Sequence, residues 1–118
     1  MTPMKMHPTL RLPMNDIENI ISTILEASAK NKVEIREISI FGSRADLSLR
    51  GGDIDIYIQS LPQFEDKCFS FIQQLRIGLA DKIGEQKFDI VVDCGQQEIK
   101  AFIEIVKLSK KVIWTPNI

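Results

Sequence analysis

The sequence predicts an α+β domain, a mixed β-sheet with helices packed on it, on the strength of three observations. Apolar residues switch repeatedly between helical spacing and strict alternation, in an order that reads α-β-β-α-β-α-β. A long helical segment joins the second and third strands, which is the connection expected of parallel neighbours with a right-handed crossover. At 118 residues and 44% hydrophobic, the chain is large enough for one core, and it has no repeat or linker that would divide it.

The elements follow from local chemistry. Pro3, Pro8 and Pro13 keep residues 1–14 out of helix and sheet, so this segment is expected to be an extended or disordered arm, with the domain spanning 15–118. Asn15 can cap a first helix while Glu18 reaches back to it, and Ile17, Ile20, Ile21, Ile24 and Leu25 then form an apolar face that runs to about Asn31. A first strand is expected from Val33 to Phe41, where Ile38 and Ile40 alternate with Glu37 and Ser39, and a second from Asp53 to Gln59. Phe64, Cys68, Phe71, Ile72, Leu75, Leu79 and Ile83 return to helical spacing, and Gly84 stops that helix. Gly78 within it lowers helix propensity, which points to a close packing contact. KFDIVVD, Lys87 to Asp93, reads as the third strand, Gln96 to Leu108 as the last helix, and KVIW, ending at Trp114, as a closing strand.

Charge and composition exclude several function classes. A net charge of −1 gives no basic footprint, so direct nucleic-acid binding is not expected. No apolar run approaches the length of a membrane span, and the N-terminal prolines interrupt any signal peptide. Cys68 and Cys94 lie too far apart in sequence for a metal knuckle or a redox motif. They are expected to be packing residues in a reducing compartment, and the protein to be cytoplasmic. His7, the only histidine, is expected to be a solvated residue of the arm.

The stretch FGSRADLSLRGGDIDIYI, Phe41 to Ile58, carries the chemistry. Strand alternation puts Asp53, Asp55 and Tyr57 on one face and Ile54, Ile56 and Ile58 on the core face. Two carboxylates about 5 Å apart on a partly desolvated sheet repel by roughly 3 kcal/mol at an effective dielectric near 20, so something should neutralise them. No lysine or arginine stands at strand spacing beside them, whereas Mg²⁺ is suited to one or two carboxylates plus the phosphates of a substrate. The upstream residues suit phosphate: Gly42 lets backbone approach closely, Ser43 offers a hydroxyl and an amide, and Arg44 offers a fork of donors. A two-metal site needs a third carboxylate from another element. With parallel strands, Asp89 falls beside Asp53 and Asp55, while Asp93 lies about 13 Å further along and is expected to be a solvated strand end. Any one of these signals alone reads as ordinary strand or hairpin chemistry; their coincidence in this order points to a phosphate and metal site.

FGSRA, GDIDIYI and FDIVVD, with the flanking helices and the closing KVIW, resemble the minimal nucleotidyltransferase family of the DNA polymerase beta superfamily over nearly the whole of Asn15 to Trp114. The resemblance implies a nucleotidyltransferase fold. It also implies transfer of a nucleoside monophosphate, often from ATP, to an acceptor hydroxyl. Gly42 and Ser43 would hold the triphosphate, Asp53 and Asp55 would coordinate both Mg²⁺ ions, and Asp89 would bind the ion that activates the hydroxyl. Asp46-Leu47 stand where family members often carry glycine, and the loop to Asp53 is a residue shorter than in many.

Larger members carry an extra domain for the acceptor, so a second polypeptide is expected to supply it here. Minimal nucleotidyltransferases are similar in this to the antitoxin half of two-gene pairs whose partner is a helical HEPN protein. The leading expectation is therefore an antitoxin that adenylylates its HEPN partner. Two alternatives stay open: a non-catalytic nucleotide-binding antitoxin acting by contact, which the altered loop favours, and a subunit of a small-molecule nucleotidyltransferase with its pocket at a subunit interface. The sequence leaves the preferred base and homo-oligomerisation open.

Overall fold

The computed structural model describes residues 14–42, 54–62, 65–83, 88–95 and 100–116. Among these residues three helices and four strands follow in the order α1 (Met14–Asn31), β1 (Ile35–Phe41), β2 (Ile54–Ser60), α2 (Glu65–Ile83), β3 (Phe88–Asp93), α3 (Lys100–Ser109) and β4 (Lys111–Trp114). The strands form one sheet in the order β3-β2-β1-β4. β1 is antiparallel to both β2 and β4, and β2 is parallel to β3, so the sheet is mixed.

The sheet has a different cover on each face. Ile38 and Ile40 of β1 and Ile54, Ile56 and Ile58 of β2 point to one side, where Ile17, Ile20 and Ile24 of α1 and Phe71, Leu75 and Leu79 of α2 close over them, all fully buried. On the other side a smaller cluster forms around Tyr57, with Ile103 and Val106 of α3 over it and Phe41 and Val91 beside it. The strict alternation of β2 thus sorts its isoleucines from the face that carries Asp55 and Tyr57.

α1 and α2 meet closely at Gly78, where a Cβ would lie 2.8 Å from Thr23 Cγ2, so the expected close contact is present. Thr23 tolerates its burial there because its hydroxyl donates to the Asn19 carbonyl at 2.7 Å. α1 begins at Met14, one residue before the expected cap, so Asn15 is a helical residue of the first turn. First-turn amides have no intrahelical carbonyl to lose, and Asp16 complements the positive end of the dipole. At the other end Lys32 takes φ 55°. Its amide donates to the Ala29 carbonyl and that of Val33 to the Ser28 carbonyl, a Schellman closure with lysine where glycine is usual. That closure occupies Val33, which is why β1 starts at Ile35 and not two residues earlier.

The cysteine expectation is corrected. Cys68 and Cys94 form a disulfide with Cα atoms 6.6 Å apart. A separation of 26 residues hid this, because the β2-α2-β3 crossover returns the chain so that the start of α2 stands beside the end of β3. Both residues also pack in the main core, as expected of them. No helix among the described residues is long and apolar enough to cross a membrane.

Candidate functional site

The two ends of the sheet differ in chemistry. At the end where β1 finishes and β2 and β3 begin, Phe41 pairs with Asp55 across the antiparallel ladder, and Asp55 pairs with Asp89 across the parallel one. Register fixes these neighbours at the strand spacing of about 4.8 Å, and the same parity places both carboxylates on the α3 side of the sheet. Asp55 is half-buried and Asp89 is exposed. Ile54 and Ile56, on either side of Asp55, are fully buried in the opposite face, so the backbone that carries Asp55 is held from behind.

Gly42 follows β1 directly and has φ +72°. A Cβ built there would lie 2.1 Å from Asp55 Oδ2, closer than real carbon atoms approach, so the bare backbone of Gly42 is closed against the Asp55 carboxylate. Glycine is required twice over, by the left-handed conformation and by the lack of space. Phe41, the residue before it, meets Phe102 of α3 edge to face with centroids 6.1 Å apart, which gives this end of the sheet an aromatic wall.

Of the residues singled out in the sequence, Gly42, Asp55 and Asp89 are thus brought together. Ser43, Arg44 and Asp53 lie outside the described residues. Among the described residues no three acidic, histidine or cysteine side chains are placed to share one metal ion, a set that cannot include Asp53.

The opposite end of the sheet holds a polar array to which the sequence reading gave no role. Asp93 differs from the solvated strand end that was expected: it is half-buried, its Oδ1 accepts the Gly95 amide at 3.0 Å, and its Oδ2 accepts the Tyr57 hydroxyl at 3.4 Å. The reason is that Tyr57 and Asp93 share the α3 face on adjacent strands, with Asp93 two ladder positions beyond Val91, the partner of Tyr57. The Lys110 ammonium stands 5.4 Å from the centre of the Tyr57 ring and pairs with Glu37, to which Ser39 also donates at 2.7 Å. Burial first, then the negative charges of Asp93 and Glu37, hold the Tyr57 phenol well above its ordinary pKa. Strand parity was the available signal, since Glu37 and Ser39 belong to the alternate set from Ile38 and Ile40; the lysine that joins them comes from 73 residues away.

Beside Asp93, an open depression of about 620 Å³ runs along α3 between Lys100, Glu104 and Lys107. It lies at the far end of β3 from Asp89, about 13 Å along the strand, and its mixed charges form no convergent set. The geometry at Gly42, Asp55 and Asp89 is the better candidate for chemistry, because it concentrates like charge and a close backbone approach at one point. In comparisons with known proteins, the sequence matches no protein-family model and no curated protein.

Proposed function

We propose that this chain is an Mg²⁺-dependent nucleotidyltransferase that transfers a nucleoside monophosphate, AMP from ATP with release of pyrophosphate, to a hydroxyl on a helical partner protein of HEPN type, and so acts as the antitoxin of a pair. The observation that carries this reading is the register of Asp55 against Asp89 with Gly42 closed on Asp55. An all-oxygen donor set of this kind suits Mg²⁺, and the ligands in this reading are Asp53, Asp55 and Asp89 for two ions. When bound, the ions neutralise phosphate charge and activate the attacking hydroxyl.

The chain's own residues orient and hold. The backbone of Asp55 is held by ladder partners on both sides, and the bare Gly42 against its carboxylate sets where that side chain rests. Gly42, bare of a side chain, lets a phosphate approach the backbone, and Ser43 and Arg44 donate to phosphate oxygens. The exposed side of Asp89 faces solvent, where a hydroxyl on a docked protein gains the proximity that a free alcohol lacks.

Incubating the chain with ATP, Mg²⁺ and its cognate helical partner should add AMP-sized mass to the partner, as read by intact-mass spectrometry. The Asp55→Asn and Asp89→Asn variants should add none while remaining folded, whereas Asp93→Asn should retain transfer. Partner binding with no mass added by the wild type would replace this reading with a contact-only antitoxin.

A further inference from the structure

We propose that Cys68–Cys94 is a thiol–disulfide latch that governs how firmly β3 and the helix after it are held, independently of any catalytic reading. The chain's only two cysteines form this bond, between the inner face of α2 and the first residue after β3, and each is about 5% exposed.

What the latch holds follows from its neighbours. Among the described residues β3 is an edge strand paired with β2, and the disulfide adds a covalent tie from its end to α2. On one side of Cys94 stands Asp93, whose carboxylate takes the Tyr57 hydroxyl and the Gly95 amide and whose carbonyl accepts the Ser60 hydroxyl at 3.3 Å. On the other side stands Gly95, at φ +90° and seated on Pro62, where a Cβ would come within 3.2 Å of the proline ring. Tyr57 in turn packs beneath Ile103 and Val106 of α3. Releasing Cys94 from α2 therefore loosens the Asp93–Gly95 turn and, through Tyr57, the seat of α3.

The fold itself does not depend on the bond. Among the described residues twelve large side chains are fully buried without either sulfur, and a chain of 118 residues is well above the size at which a core needs covalent help. The reduced sulfurs remain as small apolar packing groups. Both states are thus folded, and the difference between them is local stiffness. The exchange balances with a small thiol–disulfide couple of the glutathione class. In oxidation the two thiols give up two protons and two electrons, and the small disulfide leaves as two thiols. In reduction a small thiolate attacks one protein sulfur to form a mixed disulfide, which a second thiol resolves. Burial of both sulfurs makes this exchange wait on local opening.

The test compares the full chain after equilibration with oxidised glutathione and after treatment with excess phosphine reductant. Thiol titration in denaturant should find no free thiol in the first form and two in the second. Thermal unfolding should begin from a folded state in both, with the reduced form melting roughly 10–15 °C lower. Amide exchange should quicken on reduction in 88–95 and 100–109 but stay unchanged in α1 and β1. The Cys68→Ser/Cys94→Ser double variant should behave as the reduced form and ignore the reductant; if it fails to fold, the reduced wild type decides. Equal melting temperatures, failure to oxidise, a reduced form unfolded at room temperature, or quickened exchange spread evenly over the chain would each overturn the latch.

Discussion

Replacing Gly42 with alanine separates backbone strain from site geometry. The left-handed conformation at φ +72° costs an alanine about 1–2 kcal/mol. The new Cβ would also stand 2.1 Å from Asp55 Oδ2, so the carboxylate must retreat by about 1 Å to reach the shortest contact that real structures show. Asp55 is only half-buried and can swing, so the stability loss should stay near the strain, about 1–2 kcal/mol in denaturant unfolding followed by the fluorescence of Trp114, the sole tryptophan. A misplacement of that size at a reacting centre costs on the order of 100-fold, so Mg²⁺-dependent transfer should fall by about that factor. Gly95→Ala is the control. It has similar strain at φ +90° but abuts Pro62 at the other end of the sheet, so it should lose stability and keep transfer. If Gly42→Ala retains transfer within about twofold of Gly95→Ala, Gly42 does not set the position of Asp55 and the assignment of this site fails.

The other predictions concern the scaffold. Because the folded-state pKa of Tyr57 lies above its unfolded value near 10, the unfolded chain loses that proton first, and stability should fall as pH rises past 10. Tyr57→Phe should remove up to about 1.4 kcal/mol per pH unit of that slope, and since Tyr57 is the only tyrosine, its ultraviolet titration reports the group directly; a slope unchanged in the variant would refute the shift. Gly78→Ala should lower stability by about 1 kcal/mol through its 2.8 Å approach to the Thr23 methyl, whereas Gly78→Ala in a Thr23→Ser background should recover it and add helix propensity. Additive single effects in that double-mutant cycle would mean that the two helices do not touch there. Lys32→Gly should raise the denaturation midpoint by the equivalent of about 1 kcal/mol, because it relieves the φ of 55° at the end of α1; a lower midpoint would mean that chain entropy outweighs the strain.

Much of this architecture was legible because periodicity is a local property. The alternation of Ile54, Ile56 and Ile58 against Asp55 and Tyr57 sorted the faces of β2 correctly, and the helical connection to β3 placed Asp89 level with Asp55. The close contact at Gly78 was legible for the same reason, since a low-propensity residue in a helix needs a tertiary cause. What sequence could not show depended on return geometry. The Cys68–Cys94 bond, the Lys110–Glu37 pair and the Tyr57–Asp93 hydrogen bond each join residues that only the folded crossovers bring together. Ser43, Arg44 and Asp53 lie outside the described residues, so their part in the site rests on the motif alone.

The strand order β3-β2-β1-β4 also sets an order of events in time. β1 finds β2 across a short stretch of chain, but its other neighbour pairs Ile38 with Trp114, at the far end of the chain and beyond both α2 and α3. Loop closure of that length is a slow, late step in sheet formation. A nascent chain can therefore assemble the half of the sheet that bears Gly42, Asp55 and Asp89 while the other flank of β1 still exposes unpaired amides and carbonyls. That flank is the one open to wrong partners, and its vulnerability lasts until residues 111–114 have been made.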